Sequence, residues 1–121
     1  MCEYLNLSHV AIAAFKSDAL ERTGSSALKI FEYLGTGRFV LATRHLDHEF
    51  LEENGIGLLC NTKSIEDIAK KIRIALQMKD TKSKQIARRK YAMKENTWDS
   101  VYNRLVGACK LAINYNIKVE E

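Results

Sequence analysis

The chain has 121 residues, 46% hydrophobic and 28% charged, with a formal net charge of +4. That is room for one compact domain, 1–121, and it excludes a disordered or fibrous chain. No apolar run approaches the ~20 residues that cross a bilayer, and MCEYLNLSHV lacks a basic segment leading into an apolar one, so a soluble, cytoplasmic protein is expected.

CEYLNL (2–7) reads as the last turns of a helix. HVAIAAF (9–15) is a nearly continuous apolar run, which predicts a strand covered on both faces. The polar, turn-rich KSDALERTGSS (16–26) follows. SALKIFEYL (26–34) puts Leu28, Ile30, Phe31 and Leu34 on one helical stripe, with Lys29 and Glu32 off its centre. Gly35 and Gly37 are expected to end that helix, since glycine enters the left-handed region cheaply. RFVLAT (38–43) is a second buried strand. HLDHEFLEENGIG (45–57) predicts a short helix closed by Asn54-Gly55, and LLCN (58–61) a third, brief strand.

Ser64 opens the next helix, where Ile65, Ile68, Ile72 and Leu76 recur at helical spacing. From Lys79 to Lys94, seven basic residues (Lys79, Lys82, Lys84, Arg88, Arg89, Lys90 and Lys94) face Asp80 alone. The bland reading is a solvated face; the sharper one is peripheral contact with anionic lipid headgroups. Only Tyr91 offers a stacking ring there, so no nucleic-acid partner is expected. Thr97 caps a final helix whose stripe, Trp98, Val101, Tyr102, Leu105, Ala108, Cys109 and Ala112, reads as core. Cys2, Cys60 and Cys109 show no CxxC pair and read as small buried thiols. His45-x-x-His48 in a loop is weak evidence for a metal, and neither metal nor cofactor is expected.

Strands alternating with helices predict an α/β fold with a short parallel sheet. An apolar first strand with little before it to pair its free edge predicts association, as a homodimer or with a partner chain supplying the missing half of a doubly wound domain. In such sheets ligands bind beyond the carboxyl ends of the strands. Gly24, Ser25 and Ser26 lie at the start of the first long helix, where free N–H groups and the helix dipole favour an anion. Glu32, about two turns on, is placed to accept two ribose hydroxyls. The plain alternative is an ordinary helix cap followed by a solvated glutamate.

The run HVAIAAF, TGSSALKIFEYLGTGRFVLAT, HEFLEENGIGLLC, SIEDIAKKI and ENTWDSVYNRL resembles the retaining glycosyltransferases of family 4, over about Tyr4 to Leu111. Its centre is K-x-F-E-Y-x-x-x-G-x-x-V-x-A-T, from Lys29 to Thr43. The resemblance implies the second half of the carboxyl-terminal, Rossmann-like domain of a GT-B enzyme, with a UDP- or GDP-sugar as donor substrate. It implies that Glu32 binds the ribose, that Gly24, Ser25 and Ser26 hold the diphosphate through backbone amides, and that Glu49 makes a minor donor contact. The family's second glutamate, eight positions before the first, is Gly24 here, with Glu21 three residues further upstream. The acceptor-binding amino-terminal domain of the family is not represented, and diphosphate charge would fall to the helix terminus, Lys16 or Arg22. The chain alone is therefore not expected to turn over. The alternative is a non-catalytic structural or binding remnant that dimerises through its sheet edge.

Overall fold

A computed structural model of the chain describes residues 2–15 and 28–119. Helix α1 (Cys2–Leu7) leads into strand β1 (Val10–Ala13); α2 (Leu28–Gly35) leads into β2 (Phe39–Thr43). A 3-10 turn (Leu46–His48) and a one-turn helix α3 (Phe50–Glu53) precede β3 (Gly57–Cys60). Helices α4 (Ile65–Gln77), α5 (Lys82–Glu95) and α6 (Trp98–Val119) complete the chain. The three strands form one parallel sheet in the order β1-β2-β3, with Ile12 opposite Leu41 and Leu41 opposite Leu58. This is an α/β, Rossmann-like arrangement of a short parallel sheet flanked by helices, as the alternation of elements predicts.

The register separates two faces, because neighbouring strands place paired residues on the same side. Ala11, Ala13, Val40, Ala42, Gly57 and Leu59 share one face and are all buried. Against it lie Ile30 and Leu34 of α2, Leu51 of α3 and Ala92 of α5, with Phe31, Phe50 and Tyr91 partly buried at the rim of the cluster. The other face carries Phe39, Leu41, Thr43 and Cys60, all buried, beneath α4. That second face opens at β1, where Ile12 is 49% exposed. The expectation that β1 is covered on both faces therefore holds for one face only. Among the described residues, β1 pairs with β2 alone, so its outer edge is free.

Local chemistry accounts for the turns. Helix α2 closes in a Schellman motif: the Arg38 N–H donates to the Tyr33 carbonyl (3.1 Å) and the Gly37 N–H to the Leu34 carbonyl (2.8 Å). Only Gly37 takes the left-handed conformation there (φ 81°); Gly35 is a regular helical residue, contrary to the expectation that both stop the helix. In Asn54-Gly55-Ile56-Gly57, Gly55 turns the chain at φ 62°. Gly57 is fixed by space: a Cβ there would lie 2.5 Å from the Val40 carbonyl oxygen and 3.2 Å from Leu51. Ser64 and Thr97 cap α4 and α6 as predicted, accepting from the amides of Asp67 (3.1 Å) and Ser100 (3.2 Å).

Two expectations about side chains are overturned. The stripe on α6 is not core: Trp98 is 78%, Tyr102 66% and Leu105 62% exposed, because α6 leaves the sheet and packs only lightly on α5. Cys109, on the same helix, is exposed while Cys60 is buried.

Candidate functional site

The carboxyl ends of the strands converge on Phe15, Thr43–Arg44 and Asn61–Thr62. At their centre Thr43, buried beneath the rim, makes two hydrogen bonds to Phe15: its Oγ1 accepts from the Phe15 N–H (2.7 Å) and donates to the Phe15 carbonyl (3.0 Å). A buried hydroxyl with both of its functions satisfied costs little and fixes geometry. The residue from which the chain leaves β1 is thereby stapled to the end of β2. Buried His48 holds the next loop, with Nδ1 2.8 Å from the Thr43 carbonyl oxygen and its ring 5.7 Å from that of His45. Among the described residues, no group of three His, Cys, Asp or Glu could hold a metal ion.

Glu52 organises the far side of the rim. It accepts from the Leu59 N–H (3.0 Å) and pairs with Arg44 (3.3 Å) and Lys71 (3.6 Å). Burial pushes its carboxyl up, but the Leu59 hydrogen bond and the charges of Arg44 and Lys71 outweigh it and hold the group below its ordinary 4.5. Arg44, a rim cation that the sequence pattern did not single out, is thus committed to Glu52. Thr43, Arg44, Cys60, Asn61 and Thr62 line a cavity of about 190 Å³. Burial, followed by the charge of Asp67, pushes the Cys60 thiol up, and its Sγ–H donates to the Ala42 carbonyl (3.4 Å). This is a packed thiol and not a nucleophile.

Gly24, Ser25 and Ser26, along with Lys16, Glu21 and Arg22, lie outside the described residues. Glu32 and Glu49 are described, and both are exposed. Glu32 sits in the second turn of α2, and Glu49 immediately precedes α3 with no side-chain capping bond. Their immediate neighbours bring the two helices together: the Phe31 and Phe50 rings stack at 5.5 Å, and Phe50 stacks on Tyr91 at 6.0 Å. Neither carboxylate makes an ion pair or side-chain hydrogen bond among the described residues, whereas Glu52 is fully engaged. Lys29, in the first turn of α2, stands over the Phe15 ring, 5.9 Å from its centroid. Glu32 on α2 and Glu49 just before α3 are thus exposed carboxylates with no side-chain partner among the described residues, and Lys29 is a cation in the first turn of α2. Such groups can accept hydroxyl protons and attract an anion.

Larger cavities than the one at Thr43 lie at the opposite pole among the described residues, one of about 300 Å³ lined by His9, Arg38 and Phe39 among others. Those residues lead into the strands, and the strand ends and helix starts that gather polar groups in parallel sheets lie at the other rim. Volume alone therefore does not assign the site.

The chain is similar to a family described as Glycosyl transferase-like, which matches it over residues 1–107. No curated protein and no solved structure matches it.

Proposed function

Because this chain belongs to the Glycosyl transferase-like family, we propose that it forms the donor-binding part of a retaining glycosyltransferase of the GT-B kind. The substrate is a nucleotide-diphosphate-sugar lying across the carboxyl rim of the sheet. The observation that carries this reading is Glu32: an exposed carboxylate on α2, without a side-chain partner among the described residues and next to the Phe31–Phe50–Tyr91 stack. A carboxylate with both oxygens free accepts the 2′ and 3′ hydroxyls of a ribose together, and such charge-assisted bonds are the strong ones. In this reading Gly24, Ser25 and Ser26 take the diphosphate on backbone amides, Lys29 adds positive charge, and Glu49, just before α3, contacts the donor. The reaction itself needs an acceptor-binding domain facing this rim, from a longer chain or from a partner.

Calorimetric titration with UDP, GDP and their sugars tests the reading. Binding in the millimolar range or tighter is expected, weakened by about tenfold or more in Glu32→Ala. Unaltered affinity in Glu32→Ala would remove the ribose assignment. No response to any nucleotide would favour a second reading, a non-catalytic module that pairs through its sheet edge. The free edge of β1 and the exposure of Ile12 support that alternative.

A further inference from the structure

The basic stretch 79–94 is not one uniform face. Arg88 is buried: its Nε donates to the Gly37 carbonyl (2.8 Å), its Nη2 pairs with Asp80 (2.5 Å), and its guanidinium stands 5.8 Å over the Phe39 ring. Removing Arg88 from the count leaves a narrower and more specific arrangement. Lys82, Gln85, Ile86 and Arg89 follow one another at helical spacing on a single side of α5. That side meets the Gly37 turn so closely that a Cβ on Gly37 would lie 2.9 Å from the Gln85 carbonyl oxygen. The approach brings Arg38 against the same helix face.

The result is a cleft of about 440 Å³ at the amino pole of the sheet, lined by Asn6, Thr36, Arg38, Lys82, Gln85 and Arg89 along with Gly37 and Ile86. Among the described residues, its lining holds three cations, Arg38, Lys82 and Arg89, and no carboxylate. Asp80, an acidic residue of the adjoining cavity, is hydrogen-bonded by Arg88 and Gln85 and also feels the charge of Arg38. Arg38 spends Nη1 on the Ser8 carbonyl (2.9 Å), while its Nε is buried with no hydrogen-bond partner. Lys82 and Arg89 are exposed and form no ion pair among the described residues. The start of α5 lies at the same pole and adds the positive end of its dipole.

We propose that this cleft binds a phosphate group, held by Arg38, Lys82 and Arg89, on the opposite pole from the donor rim and independently of it. Two guanidinium forks and an ammonium lining one cleft, with Lys82 and Arg89 unpaired among the described residues, match a phosphate's oxygens, where neighbouring solvated lysines would not. The phosphate belongs either to an anionic lipid headgroup or to a soluble phosphate compound.

The full chain is titrated with inorganic phosphate while the Arg38 Nε–H resonance is followed by NMR. It is also sedimented with vesicles of phosphatidylcholine, with and without phosphatidylglycerol. A saturable shift of Arg38 is expected, weakened by about tenfold in the double variant Lys82→Ala/Arg89→Ala. The charge-matched control Lys84→Ala/Lys90→Ala, whose residues are exposed and outside the cleft, should bind as the parent does. Vesicle binding that needs phosphatidylglycerol and is competed by phosphate supports the site with a headgroup as its source. Saturable phosphate binding without vesicle binding supports it with a soluble compound. No saturable shift, vesicle binding that phosphate does not compete, or equal loss in the charge-matched control would overturn the site.

Discussion

Gly57 and Gly35 make opposite predictions although both sit in regular elements. Gly57→Ala would push a methyl into the Val40 carbonyl and Leu51, and a loss of about 3 kcal/mol in urea denaturation is expected. Gly35→Ala meets nothing within 4 Å in a helical residue, so a gain of about 0.5–1 kcal/mol is expected. Arg88 supplies a third residue-scale test. Arg88→Ala leaves the Gly37 carbonyl without its side-chain donor and Asp80, whose side chain is 26% exposed, with Gln85 alone. It should cost about 2–3 kcal/mol at neutral pH. Burial alone would raise the Asp80 carboxyl; hydrogen bonds from Arg88 and Gln85 and the charges of Arg88 and Arg38 outweigh it and bring it below 3.8. A depressed carboxyl stabilises the fold above its unfolded value and loses that contribution as pH falls through its folded one. The acid limb of the stability curve, from about pH 4 downward, should therefore be shallower in Asp80→Asn than in the parent.

Among the elements, α6 separates pattern from environment. Its apolar spacing is that of a buried helix, and the sequence alone reads it so; nothing in the sequence says whether a neighbour exists to cover it. With Trp98 mostly exposed, Trp98→Ala should change the urea midpoint by no more than about 0.5 kcal/mol, where a core tryptophan would cost 3–5. A loss on the larger scale would mean that α6 packs against the domain. Helix α5 errs in the other direction. Arg88 and Ala92 are buried against the sheet layer, yet the run KSKQIARRKYAMKE carries too few apolar residues to announce a buried side. Strands and caps were legible because their signals are local: the apolar runs of β1 to β3, Ser64, Thr97, and the glycines of Asn54-Gly55-Ile56-Gly57. The second face of β1 was not, since its cover depends on residues far away in the sequence.

For the molecule as a whole, a free β1 edge beside an open apolar face predicts self-association. Sedimentation velocity should show a concentration-dependent rise for the parent and none for Ile12→Lys, whose stability should stay within about 0.5 kcal/mol. A parent that remains monomeric at high concentration would dismiss the edge as an interface. Of the candidate site, Glu32 and Glu49 were legible from the Lys29–Thr43 pattern and the loop before Asn54-Gly55. Lys29 over Phe15, and the commitment of Arg44 to Glu52, depend on how strand ends meet and could be seen only in the fold. The Thr43 staple has one more consequence, for exchange of parts between proteins. It pins Phe15 from the side of β2, and Leu28 begins a helix whose Ile30 and Leu34 are locked in the core. Phe15 and the start of α2 are therefore each fixed by the scaffold itself. A foreign segment grafted between Phe15 and Leu28 would meet two ends that the sheet and its helix already hold.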